Sequence, residues 1–331
     1  MINYEEVINL ENHKANELSK SVIDKIKKSG DLDIDFKTDI SFDDFSLTIT
    51  RQNMGKKNID FTKENINLEV GLVEGYIEIG LFSSERCKYT DKVIYFVHGG
   101  GFIGGNFFQY ENQLKLIVEL TGVPIVAINY RLAPENKFPS SIFDCKKVYD
   151  WICSKENEYS WNKEKIIFLG DSAGVNLGLM LVSAYESVNF LSFINIYGCV
   201  DLLPEKNNMY QWSIGRYDII PSQYDILDSR LSKFGRQMRF FTKLYTTDDM
   251  LEKNNLFQKD NYSRINRMLY IEAEFDYFRW SNRYFIKHNL YDIDVDVINY
   301  LGVDHGFFER LGYCDEALDL VKRLASYIKS I

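Results

Sequence analysis

From Ile166 to Leu181 the chain runs through four apolar residues, Ile166, Ile167, Phe168 and Leu169, then a turn, then small or apolar residues at helical spacing. This pattern predicts a buried strand that passes through a sharp turn straight into an apolar helix. Ser172 stands at the apex, with Gly170 and Gly174 two positions to either side. On so tight a turn the backbone leaves no room for a branching Cβ at the flanking positions, and glycine meets that demand. Gly-x-Ser-x-Gly in this setting is a nucleophile elbow, which presents its serine at the carboxyl edge of a parallel sheet. The competing reading is an ordinary strand-to-helix turn with a capping serine. Five residues with three fixed recur by chance, so the apolar context on both sides carries the reading.

At 331 residues the chain suffices for one large α/β domain with an insertion, or for two average domains. A hydrophobic content of 45% with 26% charged residues is that of a globular protein with a sizeable core. The net charge of −9, spread without long acidic or basic blocks, argues against nucleic acid or an anionic membrane as the main partner. The five cysteines are an odd number and widely spaced, which fits free thiols in a reducing compartment. Metal-binding pairs such as Cys-x-x-Cys or His-Glu-x-x-His are absent from the sequence, and no metal is expected. No run reaches the ~18 apolar residues of a membrane span, and the N-terminal stretch with Glu5, Glu6 and Glu11 has no apolar leader. A soluble, cytoplasmic protein is expected.

Along the chain, Val7, Leu10, Leu18, Val22 and Ile26 fall mostly three or four apart and Gly30 follows Lys25, Lys27 and Lys28, which predicts a helix over Tyr4 to Lys28. Phe42, Phe45, Leu47 and Ile49 alternate loosely and predict an extended or mixed segment. Strand-like runs follow within 67–82, and Val93 to Val97 is a continuous apolar run of the kind buried on both faces. Helices near 110–120 and 142–152, and the one after Ser172, then alternate with strands at 125–129, 166–169 and 193–197. Such alternation predicts a mostly parallel sheet with helices on both faces. It breaks over residues 201–262, where Tyr224, Leu227, Leu231, Phe234, Met238, Phe241 and Tyr245 predict one inserted amphipathic helix. Strands at 268–273 and 295–300, with helices near Tyr284 and over 315–329, resume the sheet.

His98-Gly99-Gly100-Gly101-Phe102 follows the run ending at Val97. Three successive glycines leave backbone N–H groups uncovered, as a site that must hold an oxyanion away from water requires. The spacing Gly99-x-Gly101-x-x-Gly104 also satisfies a dinucleotide fingerprint. That reading fails on placement. The next strand ends in Asn129-Tyr130-Arg131 without the acidic residue, and the helix begins several residues after Gly104. Of four histidines, His305 lies just after the last strand, where a loop opens at the edge that carries Ser172, while His98 is expected to hydrogen-bond within its own loop. The acid should lie between serine and histidine in chain order, and Asp276 fits; Asp201, Glu274 and Asp304 are its rivals.

Taken together, His98 to Phe102, Tyr130-Arg131-Leu132-Ala133-Pro134-Glu135 with Phe138-Pro139, Gly170 to Gly174, Asp276 and His305-Gly306-Phe307 resemble the hormone-sensitive-lipase-like family of α/β-hydrolases, with its acetyl-esterase-like bacterial members, over roughly residues 65–331. The resemblance implies an α/β-hydrolase fold, a mostly parallel doubly wound sheet with a largely helical cap. It implies a serine carboxylesterase with Ser172, Asp276 and His305 as triad and the N–H groups of Gly100, Gly101 and Ala173 as oxyanion hole, working without a cofactor on a small-molecule ester. The implied division is an N-terminal cap segment over 1–62, a hydrolase core over 63–200 and 263–331, and a cap insertion over 201–262. A homodimer stays open, and so do amide substrates and a ligand-binding protein on a hydrolase scaffold. The chain departs from the family in having Asp276-Tyr277-Phe278-Arg279-Trp280 where Pro-Leu-Arg-Asp usually follows the acid, and residues 31–62 carry no pattern that places them in it. The bulky rings Phe234, Phe240, Phe241 and Tyr245 predict a pocket suited to short acyl chains such as acetyl or butyryl.

Overall fold

The computed structural model describes residues 2–10, 16–29, 46–55, 58–202, 210 and 212–331. Among these the strands are β1 (Ile2–Ile8), β2 (Asn67–Val73), β3 (Ile77–Ser83), β4 (Val93–Val97), β5 (Ile125–Asn129), β6 (Ile166–Asp171), β7 (Ser192–Ile196), β8 (Arg267–Phe275) and β9 (Asp294–Asp304). The helices are α1 (Lys20–Ser29), α2 (Leu47–Asn53), α3 (Glu111–Thr121), α4 (Ser140–Ser154), α5 (Glu156–Tyr159), α6 (Ala173–Ala184), α7 (Tyr224–Tyr245), α8 (Asp248–Leu251), α9 (Arg279–Asn289) and α10 (Asp315–Ser330). All nine strands form one sheet in the order β1-β9-β8-β7-β6-β4-β5-β3-β2. It is parallel except at one end, where β3 runs antiparallel to β5 and β2 antiparallel to β3.

Every residue of β4, β6 and β7 is buried, because helices cover both faces. Alternate side chains of a strand point to opposite faces. Val93, Tyr95 and Val97 therefore enter one core with Ile166 and Phe168, among residues of α4, α6 and α9. Ile94 and Phe96 enter the other with Ile167 and Leu169, under Leu114 and Ile117 of α3 and Leu320 and Leu324 of α10. The strand-helix alternation predicted from residue 93 onward matches these elements within a few residues.

The N-terminus departs from expectation. Instead of one helix over 4–28, Ile2–Ile8 is an edge strand parallel to β9, and only Lys20–Ser29 is helical. Glu5 and Glu6, which local reading places on a helix, pair with Arg283 of α9 and Arg323 of α10, each at 2.6 Å. Partners some three hundred residues away decided this, and local periodicity carries no trace of them. The expected segment over 1–62 thus begins inside the sheet. The loose alternation through Ile49 is likewise helix in its last part, where Ser46 accepts the Ile49 N–H and caps α2. Residues 31–45, and 203–209 and 211 of the insertion, lie outside the described residues.

The predicted amphipathic helix of the insertion is α7, with Leu227, Leu231, Met238, Phe241 and Tyr245 buried. Its stripe faces the carboxyl edge of the sheet: Tyr245 stacks on Phe102 with ring centroids 4.0 Å apart. The cysteines are unpaired, and four of the five are buried.

Candidate active site

Ser172 joins β6 to α6 with φ at 48°, a left-handed conformation that costs a non-glycine residue about 1–3 kcal/mol. Neighbouring backbone holds it there: the Ser172 N–H donates to Ile196 O at 3.0 Å, and the Cys199 N–H donates to Ser172 O at 2.9 Å. The glycine expected at position 174 is needed for space, since a Cβ there would lie 2.0 Å from the carbonyl oxygen of Val97. At position 170 a Cβ would come within 3.2 Å of the Gly174 carbonyl carbon.

Three residues far apart in sequence meet at this turn. His305 Nε2 lies 2.9 Å from Ser172 Oγ, and His305 Nδ1 lies 2.7 Å from Asp276 Oδ2. Asp276 is 1% exposed, and its other oxygen accepts the Phe278 N–H at 2.6 Å, which orients the carboxylate. The rivals are engaged elsewhere. Glu274 accepts the Gly302 N–H at 2.7 Å, and Asp304 takes Lys25, Arg230 and Arg310. Asp201 is buried beyond β7.

Burial alone would lower the His305 pKa, but the Asp276 carboxylate beside Nδ1 outweighs burial and raises it. His98 behaves oppositely. Fully buried, it stacks on Tyr130 at 4.3 Å, lies 2.6 Å through Nδ1 from Gly99 O, and burial pushes its pKa down to about 4. A base of this kind needs its neutral imidazole. Activity is therefore expected to rise with pH through an ionisation above the ordinary ~6.5 of histidine, and a pH–rate profile of His98→Asn should keep that limb. Loss of the limb in His98→Asn, with survival in His305→Asn, would reverse the two assignments.

Beside the serine, Gly100 and Gly101 adopt φ of 112° and 59°, and a Cβ on Gly100 would sit 2.2 Å from Gly104 O. Asp171, fully buried, holds this loop by accepting the Gly99 N–H at 2.7 Å. Arg51 of α2 grips its far side, donating to Ile103 O at 2.6 Å and Ala133 O at 2.9 Å while pairing with Glu135. Arg131 holds the fully buried Asp144 at 2.7 Å. Sequence reading missed Arg51, Tyr110 and Glu309, since nothing in their local pattern distinguishes them from surface or core residues. Asp171 stood inside the serine motif, but only its contact with Gly99 shows what it does.

A cavity of about 430 Å³ opens beside His305. Leu231, Phe234 and Tyr277 supply apolar wall, whereas Lys25, Asp304 and Glu309 make another side of it charged. Phe234 lies 4.8 Å from the His305 ring, and a Cβ on Gly101 would meet the Phe241 ring at 2.6 Å, so α7 closes on both the histidine and the glycine loop. In the departing segment Tyr277 packs on α7 where Gly235 admits it, since a Cβ there would lie 2.8 Å from the ring. Among the described residues no group of three or more His, Cys, Asp or Glu is arranged to hold a metal ion.

A sequence profile described as alpha/beta hydrolase fold matches residues 93–309, more than half of the chain and all three residues that meet at the turn. The chain belongs to the alpha/beta hydrolase fold family. Its strand-turn-helix elbow and parallel sheet are the features by which this hydrolase fold presents a serine. An acetyl esterase of Salmonella schwarzengrund is 39% identical over 90 residues, 27% of this chain and 28% of that protein. The match thus spans little more than a quarter of the curated relative's length. Among solved structures, a hyperthermophilic esterase from Pyrobaculum calidifontis superposes with a TM-score of 0.73 at 20% identity, covering 95% of this chain and 98% of that one. An esterase/lipase from an uncultured bacterium superposes with a TM-score of 0.74 at 16% identity, over 94% and 98%. At these identities the structures establish the shared hydrolase fold. No helix among the described residues is long and apolar enough to cross a membrane.

Proposed function

We propose that this protein is a serine carboxylesterase acting on short-chain, water-soluble carboxylic esters. The observation that carries the reading is the unbroken contact from Ser172 Oγ through His305 to Asp276, at 2.9 and 2.7 Å. His305 accepts the serine proton as the hydroxyl attacks the ester carbonyl, while Asp276 holds the tautomer and stabilises the imidazolium. The oxyanion forms against the N–H groups of Gly100, Gly101 and Ala173. Loss of one such donor typically costs about 3–4 kcal/mol of transition-state stabilisation. His305 returns its proton to the leaving alcohol, and water activated by the same imidazole releases the acid from Ser172. Residues 201–262 serve as the cap, and the division into cap and hydrolase core follows the sequence, with β1 added to the core. Acetyl esterase as the name of a relative supports the ester class.

The short-chain preference rests on Phe234 and Phe241 against the machinery and on the charged side of the cavity. Each methylene that finds apolar wall is worth about 0.8 kcal/mol, and methylenes placed against Lys25 or Asp304 gain none of it. Across nitrophenyl esters from acetyl to palmitoyl, kept below their micelle concentrations, kcat/KM should peak at acetyl to butyryl and show no jump when micelles form. A maximum at the long-chain end would mean that α7 is a lipase lid, and faster turnover of the matching anilides would move the protein to the amidases.

A further inference from the structure

Behind His305 lies a chain of polar contacts that the reaction as written does not use. Tyr110 Oη is 2.9 Å from Asp171 Oδ2 and 3.3 Å from Glu309 Oε1, and Asp171 Oδ1 accepts the Gly99 N–H at 2.7 Å. The chain therefore runs from a carboxyl that lines the cavity to the glycine loop beside the serine. A phenol carries one proton, and an ionised carboxylate only accepts. Tyr110 can donate to Asp171 or to Glu309, not to both, so the second approach becomes favourable when one of the acids is protonated. Asp171 already accepts from Gly99 and has Tyr110 at the shorter distance, so two donors converge on its carboxyl.

We propose that Glu309 is a positioning residue of the hydrolytic site, carrying a proton that it donates to Tyr110 Oη, so that Tyr110 donates to Asp171 and Asp171 holds the Gly99 end of the glycine loop in place. The proposal rests on the esterase reading for its kinetic consequence and on hydrogen-bond stoichiometry for its structural one. Burial raises both the Asp171 and the Glu309 carboxyl, and two buried acids sharing one site give up their protons one at a time.

The neighbouring charges do not remove the need for that proton. On the turn of Glu309, Arg310 is bound to Asp304 at 2.7 Å; from α1, Lys25 reaches Asp304 at 3.3 Å; from α7, Arg230 pairs with the same carboxylate, and Lys233 lines the same cavity. His305 and its partner Asp276 face the pair from the β9 and β8 ends, and the buried Tyr197 phenol feels both acids. When the shared proton leaves to solvent at high pH, two carboxylates stand close to the place where the oxyanion forms. The Tyr110 link to one of them is lost, and the rate falls.

The test is the pH dependence of ester hydrolysis, run beside infrared spectra that report the carbonyl stretch of a protonated carboxylic acid. The wild-type protein should show an alkaline limb in kcat, and a protonated-carboxyl band that disappears over the same pH range. Glu309→Ala should lower kcat by about tenfold to a hundredfold with little change in KM, because a displaced loop weakens contacts made in the transition state. Glu309→Gln restores a neutral donor to Tyr110; it should recover most of that loss and abolish both the alkaline limb and the band. An alkaline limb unchanged in Glu309→Gln, or a wild-type spectrum without the band, overturns the proposal, and the second observation needs no variant to fold. If no ester is hydrolysed but the band is present and titrates, the esterase reading fails while the shared proton stands.

Discussion

Ser172→Ala is expected to lower ester turnover by roughly a million-fold, to the level that binding and oxyanion donors sustain without a nucleophile. It should also abolish covalent labelling by a fluorophosphonate, read by intact mass. The size of the effect follows from the elbow: φ of 48° at position 172 and the contacts of its N–H and C=O with Ile196 and Cys199 aim its hydroxyl at His305. The fold should survive, since alanine only removes an oxygen from a backbone already held by its neighbours, and the melting curve checks this. A mutant that still takes up the probe would place the nucleophile elsewhere.

Asp276→Asn is expected to cost about ten-thousand-fold in turnover, the loss seen where a buried acid that fixes the histidine tautomer is made neutral. Here the carboxylate is 1% exposed, 2.7 Å from Nδ1, and is one of the charges that raise the His305 pKa. In the asparagine variant the residual activity should therefore rise with pH at a lower midpoint than in the wild type. Asp201→Asn and Glu274→Gln serve as controls, because Glu274 is occupied with the Gly302 N–H. Equal defects in the Asp276 and Asp201 variants would mean that the acid has been misassigned.

Much of this site was legible in the chain because its chemistry is local. A serine between two glycines after an apolar run, three glycines after another, and a histidine after the last strand each sit at the end of a strand, and a parallel sheet brings strand ends to one edge. Choosing Asp276 over Asp201 and Glu274 from sequence rested on chain order, and Asp276 lies 2.7 Å from His305 Nδ1. The strands β4, β5 and β6 were legible because strands buried on both faces read as continuous apolar runs.

What the sequence by itself determined is the order of the strands and helices from residue 93 onward and which side chains carry the proposed chemistry, since apolar period and glycine placement act over a few residues and need no distant partner. Tertiary structure alone decided the rest. Ile2–Ile8 is a strand because β9 offers it an edge and Arg283 and Arg323 receive its acids, although its own periodicity reads as helix. Arg51 grips the glycine loop, Phe234 meets the His305 ring, and Tyr110 links Asp171 to Glu309, each across a long separation in the chain. Contacts of this kind form only once the sheet has brought its edges together, and a spacing of residues along the chain does not encode them.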